Sequence, residues 1–331
     1  MAASVTAPTH RRRRRSFLSR NAPVLLAYLA FLILMSLYIG LLPRFSAAQA
    51  ISIANQGMTL AIAALGQTIV ILTGGVDLSV GPVIALTNSI AATLMTDNPA
   101  QVMLVVLLVL AVGMLCGLIN GLAVAYGRLQ PIVVTLATSS IYTGCALFIR
   151  PRPGGFVPEW FTNALTTSIG GAVPSALILL ALLAGLWLLF RRLRLGVSIY
   201  AIGSSEGSAF MSGISLTRAK VAAYTLAGLA SATAGLFFTA QTATGSALSG
   251  SVFTLNSVAA VVLGGTSLAG GRGGYIGTIA GAYIISVIVS VLFFLQVSPF
   301  YQSMFQGGIL LLAVALGSLR VLRVKNRLEV L

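Results

Sequence analysis

The stretch Arg191-Arg-Leu-Arg-Leu-Gly-Val-Ser-Ile-Tyr200-Ala-Ile-Gly-Ser-Ser205-Glu-Gly-Ser-Ala-Phe210-Met-Ser-Gly-Ile-Ser215-Leu-Thr-Arg-Ala-Lys220 is the longest markedly polar interval between two hydrophobic spans of this chain. It opens on Arg191, Arg192 and Arg194 and closes on Arg218 and Lys220. Its centre reads as a short helix over Ser205–Ser212. Ser204 or Ser205 can cap the first amides, and Glu206 puts a negative charge in the first turn, where the helix dipole favours it. Gly213 can take the left-handed conformation that ends a helix. Phe210 and Met211 then project from a polar loop with little of their own chain to cover them. Exposed apolar knobs of this kind want a partner; packing on nearby helix ends is the other reading, and spacing alone leaves both open.

On either side of this interval the chain is a membrane protein by composition. Hydrophobic residues make up 57% and charged residues 8% of its 331 residues, which predicts an all-α polytopic fold. The formal charge of +15 could suggest a nucleic-acid partner. Most of the basic residues flank apolar spans, however, so the lipid bilayer is the expected partner and nucleic acid is not. Cys116 and Cys145 fall inside hydrophobic spans and read as packing residues, not as a disulfide or metal framework. The single histidine, His10, lies in the basic tail, so no histidine-based metal site is expected.

Arg14-Arg15-Ser16-Phe17-Leu18, followed by an apolar run and then Ala48-Gln49-Ala50, resembles a cleaved twin-arginine signal. The run Val24–Leu42 is 19 residues, longer than a usual signal core and long enough to span a bilayer. The expectation is an uncleaved first helix. Nine further spans follow: Ile51–Thr73, Leu78–Met95, Val102–Tyr126, Ile132–Ile149, Ala172–Phe190, Ala219–Ala240, Phe253–Leu268, Tyr275–Val297 and Met304–Leu319. About ten transmembrane helices put both termini on one side. With that side cytosolic, 17 of the 20 basic residues are inside and only Arg44, Arg150 and Arg152 outside, as the positive-inside rule requires. The expected organisation is a basic cytosolic tail over 1–22, a transmembrane domain over 23–319 with a cytosolic loop at 191–220, and a cytosolic tail over 320–331. In the largest outer loop, Arg150–Gly171, the prolines exclude a long regular element at its start, and Trp160 and Phe161 can anchor a short interfacial helix. Gly113, Gly117 and Gly121, and then Gly273, Gly277 and Gly281, are four-residue stripes that let helix backbones approach closely.

No G-x-x-x-x-G-K-[ST] loop occurs, and no serine, histidine and acid set can form around a histidine in a tail. Catalysis by this chain alone is not expected: no catalytic residue, metal or cofactor is assigned. The most informative internal stretch is Gly74-Gly75-Val76-Asp77-Leu78-Ser79-Val80-Gly81-Pro82, which holds the only acid embedded between adjacent apolar runs. Irregular backbone at membrane depth must be buried in protein or face a water-filled cavity, and broken helices commonly line transport pathways. A hairpin outside the membrane, with Asp77 capping the next helix near the amides of Ser79 and Val80, is the alternative. A related pattern at Gly264-Gly265-Thr266-Ser267-Leu268 pairs Gly74 with Gly264, Gly75 with Gly265 and Leu78 with Leu268, as an internal repeat would. Uncharged polar side chains recur in the spans, among them Asn55, Gln56, Gln67, Thr68, Asn88, Asn120, Thr135, Thr138, Ser139, Ser140 and Asn256. They suit a path for a neutral polyhydroxylated solute and equally suit helix–helix hydrogen bonds.

Two motifs make the chain resemble the permease subunits of bacterial ATP-binding-cassette importers for monosaccharides, of the ribose, xylose and galactose type. Gly74-Gly75-Val76-Asp77-Leu78-Ser79-Val80-Gly81 is similar to that family's G-G-hydrophobic-D-L-S-V-G signature. Tyr200-Ala201-Ile202-Gly203 through Glu206 to Ser212-Gly213-Ile214 resembles the cytosolic loop that docks on the ATPase. Pro131–Leu136 and Val262–Gly265 also fit, and the similarity covers roughly Ile51–Leu319. Where the family shows Gly-Asn-Glu, an Ala-Ala pair and a basic residue, this chain has Ser204-Ser205-Glu206, Ser208-Ala209 and Phe210, which bears on which ATPase is recognised. The resemblance implies a bacterial inner-membrane protein working with a second permease copy, two ATPase subunits that bind the ATP, and a periplasmic sugar-binding protein. It implies coupling through Gly203, Glu206, Ala209, Phe210, Met211 and Gly213. A pathway is expected to draw on Asn55, Gln67, Gly74, Gly75, Asp77, Ser79, Asn88, Thr135 and Asn256. An ion-coupled carrier would have only Asp77 for its ions, and a permease of the same superfamily for an amino acid or a signalling sugar is the nearer alternative.

Overall fold

The computed structural model describes residues 17–42, 46–171 and 173–298, together with 301, 304, 305, 307, 308 and 311. The helices begin where the chain offers caps. Ser46 and Gln49 form a reciprocal capping box at the start of a helix over Ala47–Leu72 (α2, after α1 at Phe17–Leu41). Asn98 accepts from the Ala100 amide with Pro99 at the first helical position, opening α4 (Pro99–Ala125), which follows α3 (Val80–Leu94). Then come α5 (Pro131–Ile149), α6 (Glu159–Thr166), a two-residue ribbon of β1 (Ser168–Ile169) and β2 (Val173–Pro174), and α7 (Ser175–Phe190). The chain bends by 74° into α8 (Arg194–Ser204) and continues through α9 (Glu206–Met211), α10 (Leu216–Thr242), α11 (Ser251–Leu263) and α12 (Tyr275–Phe294).

The first nine expected spans each coincide with a helix; the tenth, Met304–Leu319, lies almost wholly outside the described residues. The described residues show a polytopic helical membrane protein but not the expected count of about ten crossings. Among the described residues six helices are long and apolar enough to cross a bilayer, and the bent pair α7–α8 makes at most a seventh. At 15 and 13 residues, α3 and α11 fall short of the roughly 20 that a crossing needs. Irregular segments, 73–79 and 243–250, precede each of them.

These two short helices meet at their N-termini. A Cβ on Gly81 would overlap the Gly250 carbonyl, and one on Gly250 would overlap the Gly81 carbonyl. Around this junction the helices are arranged in inverted pairs. α2 runs antiparallel to α10, with Thr59 bonded to Gln241 at one end and Gly75 against Tyr224 at the other. α10 lies antiparallel on α4, where Gly113, Gly117 and Gly121 meet Gly228, Tyr224 and Val221. In the same sense α2 lies antiparallel on α12, where Thr68 meets Thr278 and Tyr283 reaches the Ala54 carbonyl. The segment α2–α3–α4 thus corresponds to α10–α11–α12 with direction reversed. The pairing of Gly74 with Gly264 expected from sequence does not survive. Both motifs are helix ends of one kind, and the left-handed residues are Gly74 (φ 84°) and Gly265 (φ 86°), one position out of that register. Gly75 and Thr266 close the same backbone bond, to Val70 and Val261. Gly277 and Gly281 do pack on α11, but Gly273 lies in the loop before α12.

Basic side chains segregate along the bundle. Arg128, Arg191, Arg192, Arg194, Arg218, Lys220 and Arg272 lie in or beside the helix ends and loops around α8 and α9. Arg150 sits at the opposite end, donating to Thr93 beside the Gly154–Gly245 bridge, and Arg152 follows it in the same loop.

Candidate functional site

The break between α2 and α3 is buried around its acid, while Gly74 at its start is exposed. Asp77 and Ser79 are 2% and 1% exposed. The backbone there leaves helical geometry, and neighbouring side chains satisfy it. Gln67, with its amide oriented to meet both groups, donates to the Asp77 carbonyl at 2.9 Å and accepts from the Asp77 amide at 3.3 Å. Thr135 on α5 accepts from the Leu78 amide at 3.0 Å, and Ser139 one turn on donates to the Leu78 carbonyl at 2.9 Å. The carboxylate of Asp77 accepts from both the amide and the hydroxyl of Ser79, at 2.8 and 2.6 Å. No bond joins it to the Val80 amide; the turn it closes is one residue tighter than a cap on α3. Asn120 on α4 donates to the Ser79 hydroxyl at 2.8 Å, and Tyr142 stands behind Asn120 at 3.4 Å. A buried network therefore ties α2, α4 and α5 to the start of α3. In such a site each unpaired polar group would cost about 1–3 kcal/mol, so the network holds the break in one geometry.

The second irregular segment is held in a similar way. Asn88 on α3 donates to Thr239 and to the Thr244 carbonyl, each at 2.9 Å, and accepts from the Ser246 amide at 2.7 Å. Of the expected pathway residues, then, Gln67, Gly74, Gly75, Asp77, Ser79 and Thr135 come together, while Asn88 belongs to the other break. Asn55 sits apart, donating to the Thr166 carbonyl beside α6, and Asn256 is half-buried on α11. Sequence reasoning missed Tyr142 and the segment Thr244–Ser246. The i, i+4, i+7 spacing of Thr135, Ser139 and Tyr142 on one face of α5 was a usable signal; nothing local marked Thr244 or Ser246.

The polar loop forms its helix where expected. Ser205 caps α9 through the Ser208 amide, and Gly213 is left-handed at φ 79°. The six residues expected to couple divide by direction. Ala209 is buried against Ile202 and Ala219, and Gly203 is wedged between Leu72 and Gly271 with no room for a Cβ. Phe210 and Met211 are 67% and 85% exposed, Gly213 is exposed as well, and Phe210 also borders a cavity beside the start of α10. Glu206 pairs with Lys220 at 2.6 Å, tying α9 to α10. Behind α9 lies a cavity of about 690 Å³ that reaches Gly74 and Gly75 at the break. Among the described residues no group of three His, Cys, Asp or Glu side chains could hold a metal ion.

This arrangement has relatives of known role. A family profile described as the permease component of branched-chain amino acid transport systems matches residues 49–314. The ribose import permease protein RbsC of Haemophilus influenzae is 35% identical over 294 residues, covering 87% of this chain and 91% of that protein. RbsC of Bacillus subtilis is 39% identical over 261 residues, 76% of this chain and 79% of its own. The galactose/methyl galactoside import permease protein MglC of Escherichia coli is 33% identical over 318 residues, 90% and 95% of the two chains. No solved structure matches. Two broken helices set in an inverted pair, and a likeness that runs nearly end to end, lead to one conclusion: the chain belongs to this family of transport-system permease components.

Proposed function

We propose that the chain is the permease subunit of an ATP-driven importer and forms the inner-membrane pathway for a monosaccharide handed over by a periplasmic binding protein. One observation carries the reading: the likeness to sugar permeases covers 87–90% of the chain for the Haemophilus ribose and Escherichia galactose proteins. Two copies of the chain work with two ATPase subunits, and ATP is hydrolysed on those partners. α9 is the coupling element, with Glu206, Phe210, Met211 and Gly213 toward the ATPase and Gly203 and Ala209 holding the helix in place. Both termini are cytosolic. The topology draws on α3 and α11 as crossings together with their irregular segments and on α7 as one crossing; the expected last span, Met304–Leu319, lies almost wholly outside the described residues. The segregation of basic side chains toward the α9 end supports this orientation.

The branched-chain amino acid description of the family profile keeps one other substrate class in view. Uptake of labelled ribose, galactose and leucine, by cells expressing the chain together with its ATPase and binding protein, separates the two. Uptake of a sugar is expected; uptake of leucine alone would replace this reading.

A further inference from the structure

At the end of the bundle opposite α9, the loop over 150–156 is fastened to two elements at once. Gly154 and Gly245 exchange backbone hydrogen bonds at 3.0 and 2.7 Å, and the Thr244 hydroxyl donates to the Gly154 carbonyl at 3.2 Å. These bonds join the loop to the second irregular segment, 243–250. The Phe156 amide donates to the Ala92 carbonyl at 2.9 Å and so joins the same loop to the last turn of α3. Arg150 closes the junction. Its Nε donates to the Thr93 hydroxyl at 3.0 Å and its Nη2 to the Ala92 carbonyl at 3.4 Å, where the helix end carries partial negative charge. Its Cδ lies over Gly245, 2.9 Å from where a Cβ would stand. Among the described residues the one ion pair is Glu206 with Lys220, so the Arg150 guanidinium is held there by uncharged acceptors.

Arg150 also stands at the end of α5, the helix whose Thr135 and Ser139 hold the first break. One helix therefore touches both breaks, and α3 is gripped just before its start and again at its end. Beneath the loop, Ala247 of the second break is 5% exposed and shares one apolar cluster with Ala92, Val157 and Phe161. The element that follows the loop is seated less firmly. Buried polar atoms are left unpaired among the described residues on both α6 and α2, namely the Thr162 hydroxyl and Asn55 Oδ1. A seat of that kind holds less tightly than a fully bonded one, so the loop can lift with α6 while α3 and α5 stay together.

We propose that Arg150 is a positioning residue for uptake: it pins the 150–156 loop onto the second break and the end of α3, and the outer end of the pathway opens when this pin releases. The role rests on the transport reading above. Arginine suits it because a planar fork reaches two acceptors at once, which a single ammonium does not. Release uncovers Ala247, while Asn88 keeps its bonds to the Thr244 carbonyl and the Ser246 amide, so the segment stays folded as it is exposed.

The test is the rate at which an impermeant maleimide labels Ala247→Cys. The full-length chain, in a background lacking Cys116 and Cys145, is held in lipid nanodiscs, where the reagent reaches both faces. Ala63→Cys, at a fully buried position of α2, is the control. Arg150→Gln is expected to speed labelling at 247 about tenfold, the effect of losing one hydrogen bond to a charged group, and to leave 63 unreactive. Arg150→Lys should fall between wild type and Arg150→Gln. Ser246→Cys, half-buried in the same segment, is a second probe in case Ala247→Cys melts early, and the same order is expected there. In the assembled importer Arg150→Gln should also raise ATP hydrolysis without sugar several-fold, since the outer end then opens with no cargo. Unchanged labelling at 247 and 246, an equal rise at 63, or sugar-free hydrolysis at the wild-type level overturns the proposal. Labelling needs neither ATPase nor binding protein, so it decides on the pin even where sugar uptake fails.

Discussion

Phe210 is two-thirds exposed on a six-residue helix, so its truncation removes little internal contact. Phe210→Ala and Phe210→Asp are therefore expected to leave the melting temperature of the isolated chain unchanged, within about 0.5 kcal/mol for a surface substitution. Both should reduce recovery of the assembled complex or its substrate-stimulated ATP hydrolysis. The aspartate should do worse, since it puts an unpaired charge where a partner buries an apolar anchor. Wild-type assembly and coupling in Phe210→Asp would remove α9 as the docking element. At Asp77 the chemistry is internal. Asp77→Ala leaves the Ser79 amide and hydroxyl without their acceptor and should cost about 2 kcal/mol. Asp77→Asn keeps an acceptor in place and should cost less. Uptake per inserted molecule, measured beside thermal stability, should fall further in Asp77→Asn than stability does, and normal uptake would leave Asp77 a structural turn alone. Ser205 and Gly213 were legible as the ends of α9 because caps depend on the adjacent residues only. The inward direction of Ala209 was not, because its neighbours Ile202 and Ala219 belong to other helices.

At the scale of elements, glycine stripes read alike in sequence and differ in what they face. A Cβ at Gly117 of α4 would strike the Tyr224 carbonyl of α10, whereas one at Gly144 of α5 meets nothing within 4 Å. Gly117→Val is expected to force α4 off α10 and to destabilise the chain by about 2–3 kcal/mol, as overpacking does. Gly144→Val is expected to be neutral or slightly stabilising, because it removes a flexible residue from a helix interior. Melting of the two variants in one detergent tests this pair, and equal losses would mean that α4 and α10 are not in close backbone contact. The nine described spans were readable as apolar runs, but their lengths did not set α3 apart from α5. That these two meet at Gly81 and Gly250 is a contact across about 170 residues of chain, and no periodicity records it.

For the whole molecule the decisive pattern is charge. Arg128 and Arg272 lie toward the α9 end, and Arg152 lies in the loop at the other. In a background lacking Cys116 and Cys145, Arg272→Cys should be blocked by an impermeant thiol reagent only in inverted vesicles. Arg152→Cys should be blocked in intact, outer-membrane-permeabilised cells. A periplasm-active reporter fused after Leu331 should stay silent. Labelling of both cysteines from one side would refute the proposed topology.

The class of the protein, the places of its described apolar helices, the ends of α9 and the gathering of the described basic residues at one end were written in the sequence, because hydropathy, capping and charge act over a few residues or sum over a segment. Only the tertiary structure decided that α2–α4 and α10–α12 form an inverted pair, that Asp77 and Ser79 in the break are buried, and that Asp77 turns to Ser79. Each of these depends on which distant side chain reaches an unpaired backbone group in a medium with no water to replace it. Gln67, Thr135 and Asn88 could be recognised as polar residues in apolar spans; the groups they satisfy became known only when the helices were packed together.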